Sequence, residues 1–317
     1  MSKIAVIALG GNALLRGNQV GTIEEQEQNT TDTMENLLFL IREGYNLVIT
    51  HGNGPQVGNI LLRNDAGEQI YDIPQMPLDI CVADSQGGIG YMIERMLKNV
   101  LNKHQIKKEV VTLVTQVVID KDDEAFKNPT KRVGKTCTAE EAKRLKKEKG
   151  WIFKEEAKVK DGWRRVVPSP TPLSIANEKV IESLVNQGTI VIAVGGGGVP
   201  VYIDEQNDVR TAEAVIDKDL ASALLASKIK ADEFYVLTDV SYVYLNFNQP
   251  NQEIAEFLNY ADTKKYLEEG MFGEGSMGPK IKAALKFIEK GGSKSIITEA
   301  TKLEDKKYGT KITMEYD

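Results

Sequence analysis

Hydrophobic residues along this chain follow two rhythms. Short unbroken apolar runs at residues 4–9, 47–50 and 189–194 have the pattern of strands buried on both faces of a parallel sheet. Between them, apolar positions recur at helical spacing. Met34, Leu37, Leu38 and Ile41 form one such stripe, with Thr22 and Glu25 before it as a capping box and Gly44 after it as a terminator. Pro55 sits where a first helical residue should, predicting a helix through residues 60–63, and a third helix is expected from Leu78 to about Lys103. Gly87, Gly88 and Gly90 inside that third helix point to close packing, either within the fold or against a second subunit.

A strand is expected over 110–119, after which the chain changes character. Residues 120–165 are dense in charge and poor in aliphatics, with a short helix framed by Thr138, Glu141 and Gly150 and a hairpin turning at Lys160, Asp161 and Gly162. Pro168, Pro170 and Pro172 close this stretch, which reads as an insertion standing off the main sheet. Alternation then resumes: helix 178–186, strand to 194, helix 220–228, strand 234–237, helix 279–290, and strands at 295–297 and 311–314. Such alternation predicts an α/β fold with a mostly parallel central sheet and helices on both faces.

Composition narrows the class. At 317 residues, 41% hydrophobic and 27% charged, the chain is large enough for one big core or two lobes and too apolar to be disordered. A net charge of −6 argues against a broad nucleic-acid surface and confines anion binding to a local pocket. Cys81 and Cys137 make no disulfide framework and are expected to be reduced. The first apolar run is too short for a secretory leader, and none approaches the roughly 20 residues of a membrane helix. The expectation is a cytoplasmic protein with neither nucleic acid nor membrane as partner.

The three buried runs end in residues nearly bare of side chains: Gly10-Gly11-Asn12, His51-Gly52-Asn53-Gly54 and Gly195-Gly196-Gly197-Gly198. One glycine pair is ordinary punctuation. Three at strand ends suggest a single polyanionic ligand lying along one sheet edge, met by backbone N–H groups. Familiar motifs fail, which narrows the chemistry. Gly134-Lys135-Thr136 would put the first Walker glycine at Pro129, and a dinucleotide fingerprint from Gly10 would need glycine at Asn12 and Leu15. Ser276 has Glu274 where a hydrolase elbow needs glycine, and His51 and His104 are too few and too far apart for a triad or a zinc site. His51, inside the second glycine loop, is placed either to serve the fold or to touch a ligand.

Phosphoryl transfer needs positive charge near the migrating group more than it needs covalent chemistry. That requirement singles out Lys131 at the base of the insertion, Lys218 in Ile216-Asp217-Lys218-Asp219, and Lys280 at a helix start, where it opposes the helix dipole unless an anion is bound.

Ala8-Leu9-Gly10-Gly11-Asn12-Ala13-Leu14, the stretch from Thr50 to Gly58, Ala193 to Gly198, Ala214 to Asp219 and Met277-Gly278-Pro279-Lys280, in this order, resemble the carbamate kinases of the amino-acid kinase family. Many members of the wider family carry a lysine two residues before the first glycine pair. Here that position is Ala8, and carbamate kinases supply the charge from the insertion, which assigns it to Lys131.

The resemblance implies a three-layer α/β/α sandwich with a small protruding inserted subdomain. It implies a single domain over 1–317, with 1–195 holding the carbamoyl or acyl group, 120–168 forming a lid, and 196–317 holding the nucleotide. It implies a homodimer acting in arginine catabolism by reversible phosphoryl transfer between ATP and carbamate, forming ATP from carbamoyl phosphate and ADP. Gly10, Gly11, Asn12, Gly52, Asn53 and Gly54 would meet the carbamoyl and phosphoryl groups; Lys131, Lys218 and Lys280 would neutralise them, with Asp217 orienting the lysines. Gly196, Gly197, Tyr242, Met277 and Lys280 would serve the nucleotide, ordinary packing being the alternative for Tyr242 and Met277. With no carboxylate cluster apparent, Mg2+ would ride on nucleotide phosphates. The rivals are another amino-acid kinase, acting on glutamate or UMP, and a nucleotide-sensing regulatory protein.

Overall fold

The computed structural model describes residues 2–17, 19–156, 159, 161–273, 277–305 and 308–316, and of Asn12 the backbone alone. The strands of the central sheet, numbered here in chain order, are β1 (Ile4–Leu9), β2 (Asn46–His51), β3 (Val110–Thr112), β4 (Ile190–Ile192), β5 (Glu233–Thr238), β6 (Phe257–Asn259), β7 (Lys294–Glu299) and β8 (Thr310–Thr313). Their spatial order is β6-β8-β7-β5-β1-β2-β4-β3. Pairing is parallel throughout except between β7 and β8. The sheet grows in one direction from β1 to β2 and in the other from β1 to β5, so the carboxyl ends of these strands form the crevice where open α/β sheets take ligands.

The unbroken apolar runs have a simple cause. Ile4, Val6 and Ala8 face one core, while Ala5, Ile7 and Leu9 face another, so β1 is buried on both sides. Helices α1 (Ile23–Arg42) and α3 (Leu78–Lys103) cover the second face with Met34, Leu37, Leu38, Ile89 and Ile93; α5 (Glu178–Asn186), α6 (Lys218–Lys228) and α8 (Met277–Glu289) cover the first. The result is three layers. Local signals set the helix ends: Thr22 and Glu25 form the reciprocal capping box of α1, and α2 (Gly54–Tyr71) starts with Pro55 in its first turn.

One expectation needs correction, and another is narrowed within this chain. The strand expected over 110–119 is two strands in different sheets. Val110–Thr112 belongs to the central sheet, whereas Gln116–Val118 joins a four-stranded sheet with Val199–Ile203, Val209–Thr211 and Ser174–Ile175. The chain turns out between them because Thr115, fully buried, is bonded through its amide and carbonyl to the side chain of Gln86 on α3. Of the α3 glycines, only Gly90 is required by packing: a side chain there would collide with Thr112, while Gly87 and Gly88 have open space beside them.

The charged insertion folds as an antiparallel sheet of Lys131–Cys137, Trp163–Val167 and Ile152–Glu155 with α4 (Ala139–Lys149) against it, Thr138 capping the helix and Gly150 ending it at φ 69°. Of the expected hairpin turn, Lys160 lies outside the described residues. The insertion is tied to the body by an apolar seam, its Val133 and Val167 packing with Val57, Leu78, Cys81 and Val82, and by polar contacts. Arg165 stacks on Trp151, 3.9 Å from guanidinium carbon to ring centroid, and pairs with Glu213; Lys149 reaches Glu68 and Gln75 on the α2 side. The remaining helix, α7 (Tyr260–Glu268), and a hairpin of Val243–Leu245 with Glu253–Ala255 were not marked by the sequence pattern.

Candidate active site

The carboxyl ends of β1 and β2, the starts of α2, α6 and α8 and the insertion's strand Lys131–Cys137 surround one cleft of about 760 Å³. Gly11, Gly52, Asn53, Gly54, Lys131, Gly196, Asp217, Lys218, Asp219 and Lys280 all line it. Residues from separate points along 270 positions of sequence thus converge on a single hollow at the sheet's switch point.

The cleft is assembled from backbone first. Asn53 precedes α2 without capping it through its side chain, so the first-turn N–H groups keep free capacity for an anion. Its amide instead donates to Ser85 Oγ at 2.8 Å, deep inside, and lies against the third glycine loop. That contact explains a glycine: Gly196 has φ 65°, and a side chain there would collide with the Asn53 amide. Gly52 lies under the Lys218 stem, its missing Cβ 3.4 Å from Lys218 Cδ. Helix α6 is pinned to β2 by buried hydroxyls, Thr50 and Ser222, 2.6 Å apart, with Ser222 donating to the Lys218 carbonyl.

Charge is then arranged by two carboxylates. Asp219, 3% exposed, accepts from Lys218 Nζ at 2.6 Å on one oxygen and from Lys280 Nζ at 3.0 Å on the other. Burial alone would raise its pKa. The two ammonium groups overcome that and hold it down to about 2, so it is a carboxylate at neutral pH. Asp217 does something else. It caps α6, accepting from the N–H groups of Asp219 and Leu220, and its second oxygen accepts from Lys131 Nζ at 3.2 Å. Of the three lysines that Asp217 was expected to orient, it touches Lys131. The organiser of Lys218 and Lys280 is Asp219, which sequence reasoning passed over even though it stood beside Lys218 in the singled-out motif.

The other predicted positions divide. Gly10 does not line the cleft; it abuts the Leu237 carbonyl on β5, and Gly197 packs on the Ile216 carbonyl. Tyr242 stacks on Tyr308 with centroids 5.1 Å apart, and Met277 packs partly buried against the core, neither within this cleft. The Asn12 side chain lies outside the described residues. His51 is buried and donates through Nδ1 to the Gly52 carbonyl at 2.9 Å; burial, opposed by that bond and reinforced by the Lys218 charge, depresses its pKa to about 4. Its role is structural. Two arginines of the insertion, Arg132 and Arg164, also line the cleft and were not singled out; Arg164 is aimed by a bond from Nε to the Gly134 carbonyl at 2.9 Å, at a bulge between Val133 and Thr136.

A crevice at the sheet's switch point, walled by backbone amides and lysines, is a site for transferring groups between polyanions. Residues 3–299 match the model of the amino acid kinase family, and the chain belongs to that family. Its relatives narrow the likeness. It is 49% identical to the carbamate kinase of Pyrococcus furiosus over 98% of this chain and 99% of that one, and 48% identical to that of Pyrococcus horikoshii over 99% and 100%. Among solved structures, carbamate kinase from Giardia lamblia bound to AMP-PNP superposes with a TM-score of 0.92 at 40% identity, covering 98% of each chain. Among the described residues, no helix is long and apolar enough to cross a membrane.

Proposed function

We propose that this chain catalyses reversible phosphoryl transfer between ATP and carbamate, forming ATP and carbamate from ADP and carbamoyl phosphate in the opposite direction. The observation that carries this reading is the Lys218–Asp219–Lys280 triad facing the glycine corners with Lys131 poised above from the lid.

In the ATP-forming direction, a β-phosphate oxygen of ADP attacks the phosphorus of carbamoyl phosphate and the bond from phosphorus to the carbamate oxygen breaks. Carbamate leaves as an anion, so no proton need move and no general base is needed. Catalysis then consists of alignment and charge neutralisation. Gly11, Gly52 and Gly54 present main chain to the acyl and migrating groups; Lys218 and Lys280 neutralise oxygens of the phosphoryl group, and Lys131 closes over the acyl side. Asp219 keeps the two ammonium groups apart and aimed at the cleft without itself meeting substrate.

Among the described residues, no group of three or more His, Cys, Asp or Glu could hold a metal. Both cleft aspartates are already engaged by lysines. That donor set fits Mg2+ only as an ion carried on the nucleotide phosphates, where it would neutralise charge on the β- and γ-oxygens. The enzyme is read as cytoplasmic and homodimeric; exposed Ile70, Tyr71, Ile73, Met76 and Ile80 form an apolar stretch that a second copy would cover.

The test is a coupled assay for ATP formed from carbamoyl phosphate and ADP, with the phosphorylation of glutamate and UMP by ATP measured alongside. Turnover with carbamoyl phosphate is expected. Turnover only with another acceptor would place the chain elsewhere in the family, and tight ADP binding with no turnover would make it a nucleotide sensor.

A further inference from the structure

The third glycine loop, residues 195–198, is held from behind by two residues that never reach the cleft. It begins at Val194, which has φ 54° and ψ 34°. A β-branched residue in the left-handed region is a strained outlier that persists only when its surroundings impose it. Val194 is fully buried, and its N–H donates to Thr115 Oγ1 at 3.0 Å. The far end of the loop returns to the same residue, the Val199 N–H donating to the Thr115 carbonyl at 2.9 Å. Thr115 therefore fastens both ends of the glycine loop, one with its hydroxyl and the other with its backbone.

Thr115 is itself held. The Gln86 side chain, wholly buried on α3, accepts from the Thr115 N–H at 2.9 Å and donates to its carbonyl at 3.2 Å. The hydroxyl proton goes to the Leu113 carbonyl at 2.9 Å, which leaves the oxygen's lone pairs facing Val194. Each side-chain polar atom of Gln86 and Thr115 has a partner, and Val194 N–H is bonded too, so the geometry of the chain from Gln86 to Thr115 to Val194 is tightly determined. What it determines is where Gly196 stands in the cleft, beside Asn53 and across from Lys218.

We propose that Thr115 and Gln86 are positioning residues for phosphoryl transfer: they hold the loop of residues 194–199 in its left-handed path so that its backbone is in place for the migrating group. This rests on the kinase reading above. A group that acts only on alignment in the transition state lowers kcat more than it raises KM.

The experiment compares Thr115→Val, which keeps shape and removes the hydroxyl, with Thr115→Ser, which keeps the hydroxyl, in the ATP-forming assay. Thr115→Val is expected to lower kcat by about 10- to 100-fold while both KM values stay within about threefold, since small misplacements have effects of this size. Thr115→Ser is expected to stay within about threefold of wild type in kcat, as its oxygen can still accept from Val194. Should Thr115→Val fail to accumulate as folded protein, Gln86→Met carries the same expectation. A fully active Thr115→Val, a Thr115→Ser as impaired as Thr115→Val, or a loss confined to KM would overturn the inference. If wild type itself shows no turnover, the kinase reading has failed and the inference falls with it, an outcome distinguishable from an active wild type with an indifferent Thr115→Val.

Discussion

Two sets of cations face the same cleft, and they are held in opposite ways. Lys218 and Lys280, with side chains 17% and 13% exposed, share one carboxylate that is 5% exposed. Lys131 reaches in from the insertion with its side chain 38% exposed and pairs with Asp217, which is 19% exposed and already occupied as a helix cap. The first set is built into the body of the fold, where water is excluded and the charges need no rearrangement when substrate arrives. The second resembles a surface pair, worth about 0–1 kcal/mol and readily exchanged for a better anion. One set is a fixed floor; under the proposed reaction the other would serve as a latch, opening when a phosphate takes Lys131 from Asp217.

The floor should be the part that tolerates least. Asp219→Asn keeps the shape but leaves two buried ammonium groups facing each other, and removing one partner of a buried ion pair costs about 3–5 kcal/mol of stability. A kcat lower by about 10³-fold is expected with it, because both lysines lose their aim, and Lys280→Ala should cost about 10²- to 10³-fold, the size of one lost donor at a developing charge. Asp217→Asn keeps an oxygen for the helix cap and should stay within about tenfold of wild type, since an exposed pair contributes about 1 kcal/mol or less. Steady-state kinetics and urea unfolding of the three variants decide the matter: equal losses for Asp219→Asn and Asp217→Asn would abolish the distinction.

The same division explains what could be read from the sequence. The floor's frame was legible because its causes are local. Apolar runs mark strands buried on both faces, Thr22 with Glu25 and Pro55 mark helix starts, and bare strand ends mark the crevice. The insertion was legible because charge density changes sharply near residue 120. Contacts between distant positions were not legible. Nothing along the chain says that Asp219 rather than Asp217 faces Lys218 and Lys280; one is turned inward and the other caps α6, a difference of helix phase at a terminus. Nor does an apolar pattern over 110–119 reveal that Gln86, some thirty residues earlier, bends the chain out of the sheet at Thr115. For Gly10 and Gly197, assigned to ligand contact, what the fold adds is that a side chain at either would collide with neighbouring backbone, at Leu237 and Ile216.

Acid should weaken the body of the fold through two buried groups. His51 has a folded pKa near 4 against an ordinary 6.5, burial being the main cause. Between those values the unfolded chain holds a proton that the folded chain refuses, so this contribution is complete above pH 6.5 and shrinks as pH falls toward 4. The shift corresponds to about 3 kcal/mol across that window. Asp219 adds a second loss lower down: its stabilisation is present above its ordinary 3.8 and disappears as pH falls through about 2. His51→Asn, which retains a donor for the Gly52 carbonyl, should flatten the pH dependence of urea unfolding between pH 6.5 and 4 relative to wild type. Parallel curves for the two proteins would show that His51 does not titrate in the way its burial dictates.

Lys131, on the insertion, offers the sharpest contrast with the floor. Lys131→Ala removes one charge-assisted contact from a half-exposed position, worth about 1.5–3 kcal/mol at most when substrate is bound, or about 10- to 100-fold in kcat/KM. Exposure also makes that contribution sensitive to salt. The Debye length is about 10 Å at 0.1 M ionic strength and about 3 Å at 1 M, and screening acts on charges that water can reach. The ratio of wild type to Lys131→Ala should therefore shrink as salt is raised, while the ratio of wild type to Lys280→Ala stays nearly constant, its cation being shielded from solvent by Asp219 and the protein around it. Measuring kcat/KM for carbamoyl phosphate at several salt concentrations gives both ratios in one experiment. If they decline together, the two sets of cations differ in sequence position but not in physics, and the latch is no more mobile than the floor.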